Sequence, residues 1–376
     1  MRTRRWAALC AGTLLLSACG SDEGPSVPTL TQSPATSPGS SSPGSSSAPA
    51  GRTVEARVTG AIATGLEVPW GLDFLPSGDA LVTERDTRRV LLVSPDGEVD
   101  ELGTLDDADP QGGEGGLLGV AVSPDFAQDA TAYFYLTSSE DNRVVKTTVR
   151  DGSLGETEVV LSGIPAGFVH DGGRITFGPD GLLYVATGET GERELSQDRD
   201  SLAGKILRIT PDGKAAAGNP FDSPVWSWGH RNVQGLAFDD EGRLWASEFG
   251  DSTWDELNLI RKGANYGWPE IEGTGGGPDF VDPVTVWPTS EASPSGLAYA
   301  EGSLWMAGLR GNRLWQVPLD GESAGAPVDL LVGEYGRLRS VALAPDGSLW
   351  VTTSNRDGRG EPGSDDDQIL RVELSP

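Results

Sequence analysis

His170 and His230 are the only histidines in the chain, and each stands in a short loop that leads into a run of alternating apolar residues. His170 lies in a glycine-rich loop, His170-Asp171-Gly172-Gly173, where an imidazole titrating near neutrality serves as a general base. A lone histidine is also a common structural residue, and His230 is read that way. Arg231, Arg310, Arg337 and Arg339 fall in loops or strand starts of the C-terminal half, in a chain whose formal net charge is −28. Any one of them suits an ion pair, but a cluster of guanidinium groups calls for an anionic ligand. A long excursion, SEFGDSTWDELNLIRKGANYGWPEIEG from Ser247, sets Asp251, Asp255 and Glu256 among glycines. Hard oxygen donors in a turn-rich loop suit calcium. The spacing is not that of an EF-hand, and an ordinary acidic loop fits it equally well.

A repeat places these residues. A small or polar residue, a short alternating apolar strand, a Pro-Asp-Gly-like turn and a second apolar strand recur six times, anchored at Gly71, Gly119, Arg174, Gly235, Gly296 and Ser340. Most copies continue into a third strand such as RVLLVSPDG or KILRITPDG. Each unit is therefore an antiparallel sheet of three or four strands, and the fold is read as all-β, a six-bladed β-propeller with four-stranded blades. A β-sandwich is the alternative, and the repetition of whole units argues against it. Helices of ten residues or more, which an α/β barrel or doubly wound sheet needs between strands, are absent from the pattern.

In a propeller the innermost strands line the axis, so residues just before them in different blades meet at one mouth. His170 and Arg231 stand four residues before their anchors, and Glu114, Glu291 and Arg337 lie within one residue of that offset. His230 neighbours the converging position without occupying it.

The N-terminus reads as an export signal. Basic Arg2, Arg4 and Arg5 precede an apolar stretch too short to span a bilayer, which ends in Leu16-Ser17-Ala18-Cys19. This is the pattern of a lipoprotein cleavage site, so residues 1–19 are expected to form the signal and Cys19 to be lipidated; a plain secretory signal cut after Ala18 is the alternative. Residues 20–51 are almost entirely Ser, Pro, Gly, Thr and Ala, the composition of a flexible tether that reaches roughly 30 Å. The folded domain is expected over 52–376, tied to the outer face of the cell membrane. The two cysteines are Cys10 and Cys19, so this domain has no disulfide. The strongly negative charge excludes nucleic acid as a partner.

The loops carry a resemblance. EGGLLGVAVSPDF from Glu114, HDGGRITFGPDGLLYVATGE from His170, SLAGKILRITPDGK from Ser201, WGHRNVQGLAF from Trp228, DELNLIRKGANYGWP from Asp255 and GRLRSVALAPDG from Gly336 resemble the PQQ-dependent soluble glucose dehydrogenases and aldose sugar dehydrogenases. WGHRNVQG and NYGWP are specific to it, and the likeness covers nearly all of the folded region in order.

The resemblance implies oxidation of an aldose C1 hydroxyl to the lactone, with PQQ and calcium as cofactors and an external electron acceptor. It makes His170 the base, Glu189 the carboxylate that orients it, and Arg231 with Asn232 the pair beside the quinone. It assigns Arg337 and Arg339 to the cofactor's carboxylates. Calcium would be held at the Gly250-Asp251 backbone, and a further calcium at Glu256 and at Tyr266 through its backbone oxygen. Two positions depart from the family. Glu114 replaces a glutamine, setting another carboxylate beside an anionic cofactor, and Arg310 replaces a lysine near the quinone oxygens.

Two other functions fit the fold. A calcium-dependent, lactonase-like hydrolase would hold its metal on the axis, with Glu114 and Glu291 as ligands. A non-catalytic, membrane-tethered binding propeller would need no base at all. The arginine cluster discriminates, because a tricarboxylate ligand explains it and an axial metal does not.

Overall fold

The computed structural model describes residues 54–110 and 112–375. Cys19 and the 20–51 segment lie outside them. Six antiparallel sheets follow one another along the chain. Their innermost strands are Pro69–Phe74, Leu117–Val122, Ile175–Phe177, Val233–Phe238, Pro294–Ala300 and Leu338–Leu343. Each packs against the innermost strand on either side, and Leu338–Leu343 meets Pro69–Phe74, so the ring closes. The fold is the six-bladed propeller read from the repeat. Among the described residues, helix is confined to single turns at Phe126–Asp129 and Arg193–Ser196.

The anchor residues explain the close ring. A methyl group at Gly71 would stand 2.6 Å from the Leu118 carbonyl oxygen, and at Gly296 2.7 Å from the Ser340 Cα. Any side chain there would push neighbouring inner strands apart. The third and sixth blades carry Arg174 and Ser340 there instead, and the Arg174 side chain reaches across the axis. Its Nε donates to the Gln234 carbonyl at 2.8 Å, its Nη2 donates to Ser340 Oγ at 3.1 Å, and its guanidinium lies 4.4 Å from the centre of the Trp70 ring.

Outside the axis the strands alternate apolar residues into the gaps between blades. The second strands bury Trp245, Trp305 and Trp350 at one register, with Tyr184 as their counterpart. Burying each Leu or Val in these layers contributes about 1.5–3 kcal/mol.

The blades are four-stranded with small variations. The second adds a short strand, Ser153–Leu154, and the fifth divides its outer strand into Ser323–Ala324 and Val328–Leu330. The sixth takes its outer strand from the other end of the chain: Glu55–Ala63 pairs antiparallel with Ile369–Ser375. The first and last parts of the folded region are thereby held in one sheet.

Candidate active site

One mouth of the propeller is formed by the loops that precede the innermost strands and those that follow the second strands. His170 belongs to the first kind in blade three, and Glu189 to the second. The histidine loop is held from several sides. The His170 amide donates to Glu114 Oε2 at 2.9 Å, the Gly172 amide to Asn232 Oδ1 at 3.1 Å, and the Tyr135 hydroxyl to the Asp171 carbonyl at 2.8 Å. These contacts hold His170 at φ +58°, a left-handed conformation that histidine adopts more readily than most residues.

Its Nδ1 bonds Glu189 Oε1, and among the described residues its Nε2 has no protein partner. The Glu189 carboxylate is buried, with Oε2 unpartnered. A buried carboxylate on Nδ1 selects the tautomer that carries the proton there. Nε2 is then the lone-pair nitrogen, and its side chain is 18% exposed. The neighbouring Asp171 is buried and raised to about 6, chiefly by that burial, against the Gly167 amide and the Asn142 side chain that bond its Oδ1.

Blade four repeats the arrangement with a different outcome. His230 Nδ1 meets Glu248 Oε2 at 2.8 Å, but its Nε2 meets Ser227 Oγ at 2.8 Å and its ring stacks on Tyr266 at 4.6 Å. The side chain is wholly buried, in keeping with the structural role read from the sequence.

Arg231, beside it, is anchored through its amide to Glu248. Its guanidinium reaches Asp251 Oδ1 and the Phe249 carbonyl, both at 3.4 Å, and lies 5.3 Å from the centre of the Trp268 ring. Its Nε is buried without a partner. In blade six, Arg337 Nε and Nη2 donate to Asp357 Oδ2 at 3.0 and 2.9 Å, and Arg339 Nη2 reaches the same oxygen at 3.5 Å. Burial raises the Asp357 carboxyl, but the two guanidinium groups outweigh it and hold the group below its ordinary value. Arg339 is itself buried, which lowers it to about 9, and its Nε is unpartnered.

Glu114 is not a bare carboxylate. Its Oε1 accepts from Arg359 at 2.9 Å, and the His170 amide holds its Oε2. Burial raises its pKa, yet these two partners bring it below the ordinary carboxylate range. Its charge therefore has a built-in counter-charge. Arg310 stays exposed in the turn after blade five's second strand, and among the described residues no hydrogen bond or ion pair involves it. Glu291 is exposed in the adjoining loop.

The acidic excursion of blade four is organised by Glu272. Its Oε1 accepts from four consecutive amides, Asp251, Ser252, Thr253 and Trp254, at 2.7, 3.1, 3.0 and 3.1 Å. With those amides engaged, the Gly250 and Asp251 carbonyl oxygens are left without a donor among the described residues. Asp255 bonds the Gly250 and Ser293 amides and is raised to about 6, mainly by burial.

Glu256 is buried with Asn258 and the Gly273 amide as its donors. Burial and then the charge of Glu248 push it up to about 8. The Tyr266 hydroxyl is used internally, donating to the Leu259 carbonyl at 2.6 Å and accepting the Arg261 amide at 2.8 Å, so its side chain is not free to act as a ligand. Glu248, Glu256, Glu272 and Tyr266 border a cavity of about 10 Å³. Among the described residues no three His, Cys, Asp or Glu side chains form a metal-holding set, so a cation bound there would depend on carbonyl oxygens.

The sequence reading does not single out Asp357, Glu272, Gln234 or Arg359. For Asp357 a signal existed. Glu189, Asp251 and Asp357 all follow second strands, and counting forward from those strands finds them as counting back from the inner strands finds His170 and Arg231.

The fold and this mouth define a class: six-bladed propellers with a carboxylate-oriented histidine and an axial arginine cluster. The chain belongs to the glucose/sorbosone dehydrogenase family, whose model matches residues 66–370. It is 56% identical to an aldose sugar dehydrogenase of Streptomyces coelicolor solved in its PQQ-bound form, with a TM-score of 0.84 over 86% of this chain and 99% of that one. A glucose dehydrogenase-like oxidoreductase of Thermus thermophilus is 44% identical, with a TM-score of 0.79 over 85% of this chain and all of that one. The aldose sugar dehydrogenase of Escherichia coli is 30% identical, over 78% of this chain and 89% of its own length.

Proposed function

We propose that the protein is a PQQ- and calcium-dependent dehydrogenase that oxidises the C1 hydroxyl of an aldose to the lactone. The observation that carries this is the His170 Nε2 lone pair, set by Glu189 and left free at a mouth ringed by arginines. The residues present suit a tricarboxylate quinone. Arg231 and Arg339 each keep a buried, unpartnered Nε, and Arg337 adds a second guanidinium in blade six. They also suit calcium, because Glu256 and Glu248 are buried side by side and the Gly250 and Asp251 carbonyls lack donors.

PQQ, when bound, supplies the acceptor for the two electrons leaving the sugar, and calcium would polarise its carbonyl as a Lewis acid. His170 takes the C1 hydroxyl proton on Nε2, and Glu189 compensates the charge that the ring acquires. Such a base contributes a factor of about 100 to 10,000. Arg231 and Asn232 stand on the blade-four side of the mouth, where a cation stabilises negative charge as it develops. Arg337 and Arg339 would bind carboxylates. We further propose that Cys19 anchors the protein to the outer face of the membrane and that an external acceptor reoxidises the cofactor.

The test is reconstitution. Purified apoprotein is titrated with PQQ and calcium and screened with aldoses for reduction of an artificial dye. Micromolar PQQ binding with sugar-dependent dye reduction is expected; absence of PQQ binding at that concentration overturns the reading.

A further inference from the structure

Past the anchor residues, on the side away from the mouth, the axis holds a second cavity of about 180 Å³. All six innermost strands border it, and much of its wall is apolar, from Leu72, Val120, Leu236, Leu297 and Val341. Arg174 is the one anchor residue that reaches it. The groups that hold Arg174, namely Trp70, the Gln234 carbonyl and Ser340, lie at the anchors or just before them, so its guanidinium forms the end of the cavity toward the mouth.

The charge of Arg174 is unbalanced. Its Nε bonds a carbonyl and its Nη2 a hydroxyl, and among the described residues Nη1 bonds nothing. Burial and then the charge of Arg339 lower it to about 9, and no carboxylate opposes them. Asp357 serves Arg337 and Arg339 instead. A buried cation without a counter-charge is costly, and a bound anion removes that cost.

The innermost strands supply further donors. Each is bonded along one edge to its second strand, and successive amides alternate between the two edges. The Asp239 and Ala344 amides bond the second strands, at the Arg243 and Ser348 carbonyls, so the Phe238 and Leu343 amides one residue earlier turn to the free edge, beside the cavity. Blades one and two show what such amides take. Asp73 Oδ1 accepts the Phe74 amide at 2.9 Å, and its Oδ2 accepts the Val122 amide of the next blade at 2.7 Å. At the register of Asp73 the other blades carry Ala121, Thr176, Ala237, Ala298 and Ala342, none of which brings a carboxylate.

We infer that this axial cavity binds a small monovalent anion of the chloride class, held by the Arg174 guanidinium and by free-edge amides such as those of Phe238 and Leu343. One cation, a few amides and apolar walls suit a singly charged ion, and the Asp73 carboxylate on the same wall disfavours a multiply charged one such as phosphate. The ion links inner strands of different blades and so supports closure of the ring. The site stands apart from the dehydrogenase reading, because Arg174 separates it from the mouth.

Thermal unfolding of the purified protein at constant ionic strength, with sodium isethionate replaced stepwise by sodium chloride, tests the site. Tm should rise by about 2–4 °C and level off in wild type, and stay flat in Arg174→Met. Crystals of wild type soaked in sodium bromide should show an anomalous difference peak beside the Arg174 guanidinium. A saturating rise together with that peak supports the site. No rise, bromide peaks only elsewhere, or a rise that persists in Arg174→Met overturns it. A peak beside Arg174 without any change in Tm means binding at crystal concentration only and overturns it too. If Arg174→Met does not fold, the two wild-type measurements decide.

Discussion

Blades three and four each set a histidine before the innermost strand and bond its Nδ1 to a buried glutamate that ends or follows the second strand: His170 with Glu189, His230 with Glu248. The two pairs differ in the other nitrogen. In blade four Nε2 is bonded to Ser227 and the ring is sealed under Tyr266. In blade three Nε2 has no protein partner among the described residues and the ring is part-exposed. The residues that follow also differ, Asp171 after one histidine and Arg231 after the other. A histidine–glutamate pair is thus not a catalytic device in itself. What separates the proposed base from the structural histidine is one unoccupied nitrogen.

The comparison breaks most directly at His170. Replacement by alanine should lower turnover about 100- to 10,000-fold, read as steady-state dye reduction, while equilibrium PQQ titration changes little. Full turnover in His170→Ala would remove the assignment.

Next in size is the separation of proton transfer from cofactor holding. Arg337→Ala with Arg339→Ala should weaken PQQ binding, each lost charge-assisted hydrogen bond being worth roughly 1.5 to 3 kcal/mol. The loss should appear in the titration before it appears in turnover at saturating cofactor. An unchanged dissociation constant would mean that Asp357 is the only anion these arginines serve.

His230→Ala should behave as the reverse of His170→Ala. It empties a buried ring site and strips partners from Ser227 and Glu248, so it should cost about 2–4 kcal/mol of stability in urea unfolding. Stability equal to wild type, with turnover lost, would show that the two histidines have been assigned the wrong way round.

The smallest effect concerns Asp171. Its carboxyl is raised from 3.8 to about 6 in the folded protein. Between these values the folded state binds the proton more tightly than the unfolded state, so its contribution to stability is full below about pH 4 and is lost as pH rises through about 6. Asp171→Asn keeps an oxygen for the Gly167 and Asn142 donors and cannot ionise. Stability measured from pH 4 to 7 should therefore fall by about 1–2 kcal/mol more in wild type than in the variant. Parallel curves would show that Asp171 does not titrate in that range.

Much of this was legible in the chain because it is local. The Pro-Asp-Gly turns and paired apolar strands mark each blade within a dozen or so residues, and the offset from each anchor brings His170, Arg231, Glu114 and Arg337 to one mouth. What was not legible joins distant segments. Glu55–Ala63 completes a sheet with Ile369–Ser375, and Arg359 neutralises Glu114 from 245 residues away. Glu272 holds the amides of residues 251–254 from the far side of the NYGWP turn. No periodicity encodes such contacts, because each depends on where two separate loops come to rest.

By itself the amino-acid sequence determined the number of blades, the strands and turns within them, and which polar residues gather at the mouth. These follow from side-chain alternation, turn chemistry and register, all set by near neighbours. Only the tertiary structure decided which histidine keeps a free nitrogen, how Glu114 is balanced and which carbonyls are left without donors. Those are questions of who occupies each hydrogen-bonding site, and the answer lies in packing between blades rather than in the type of any residue.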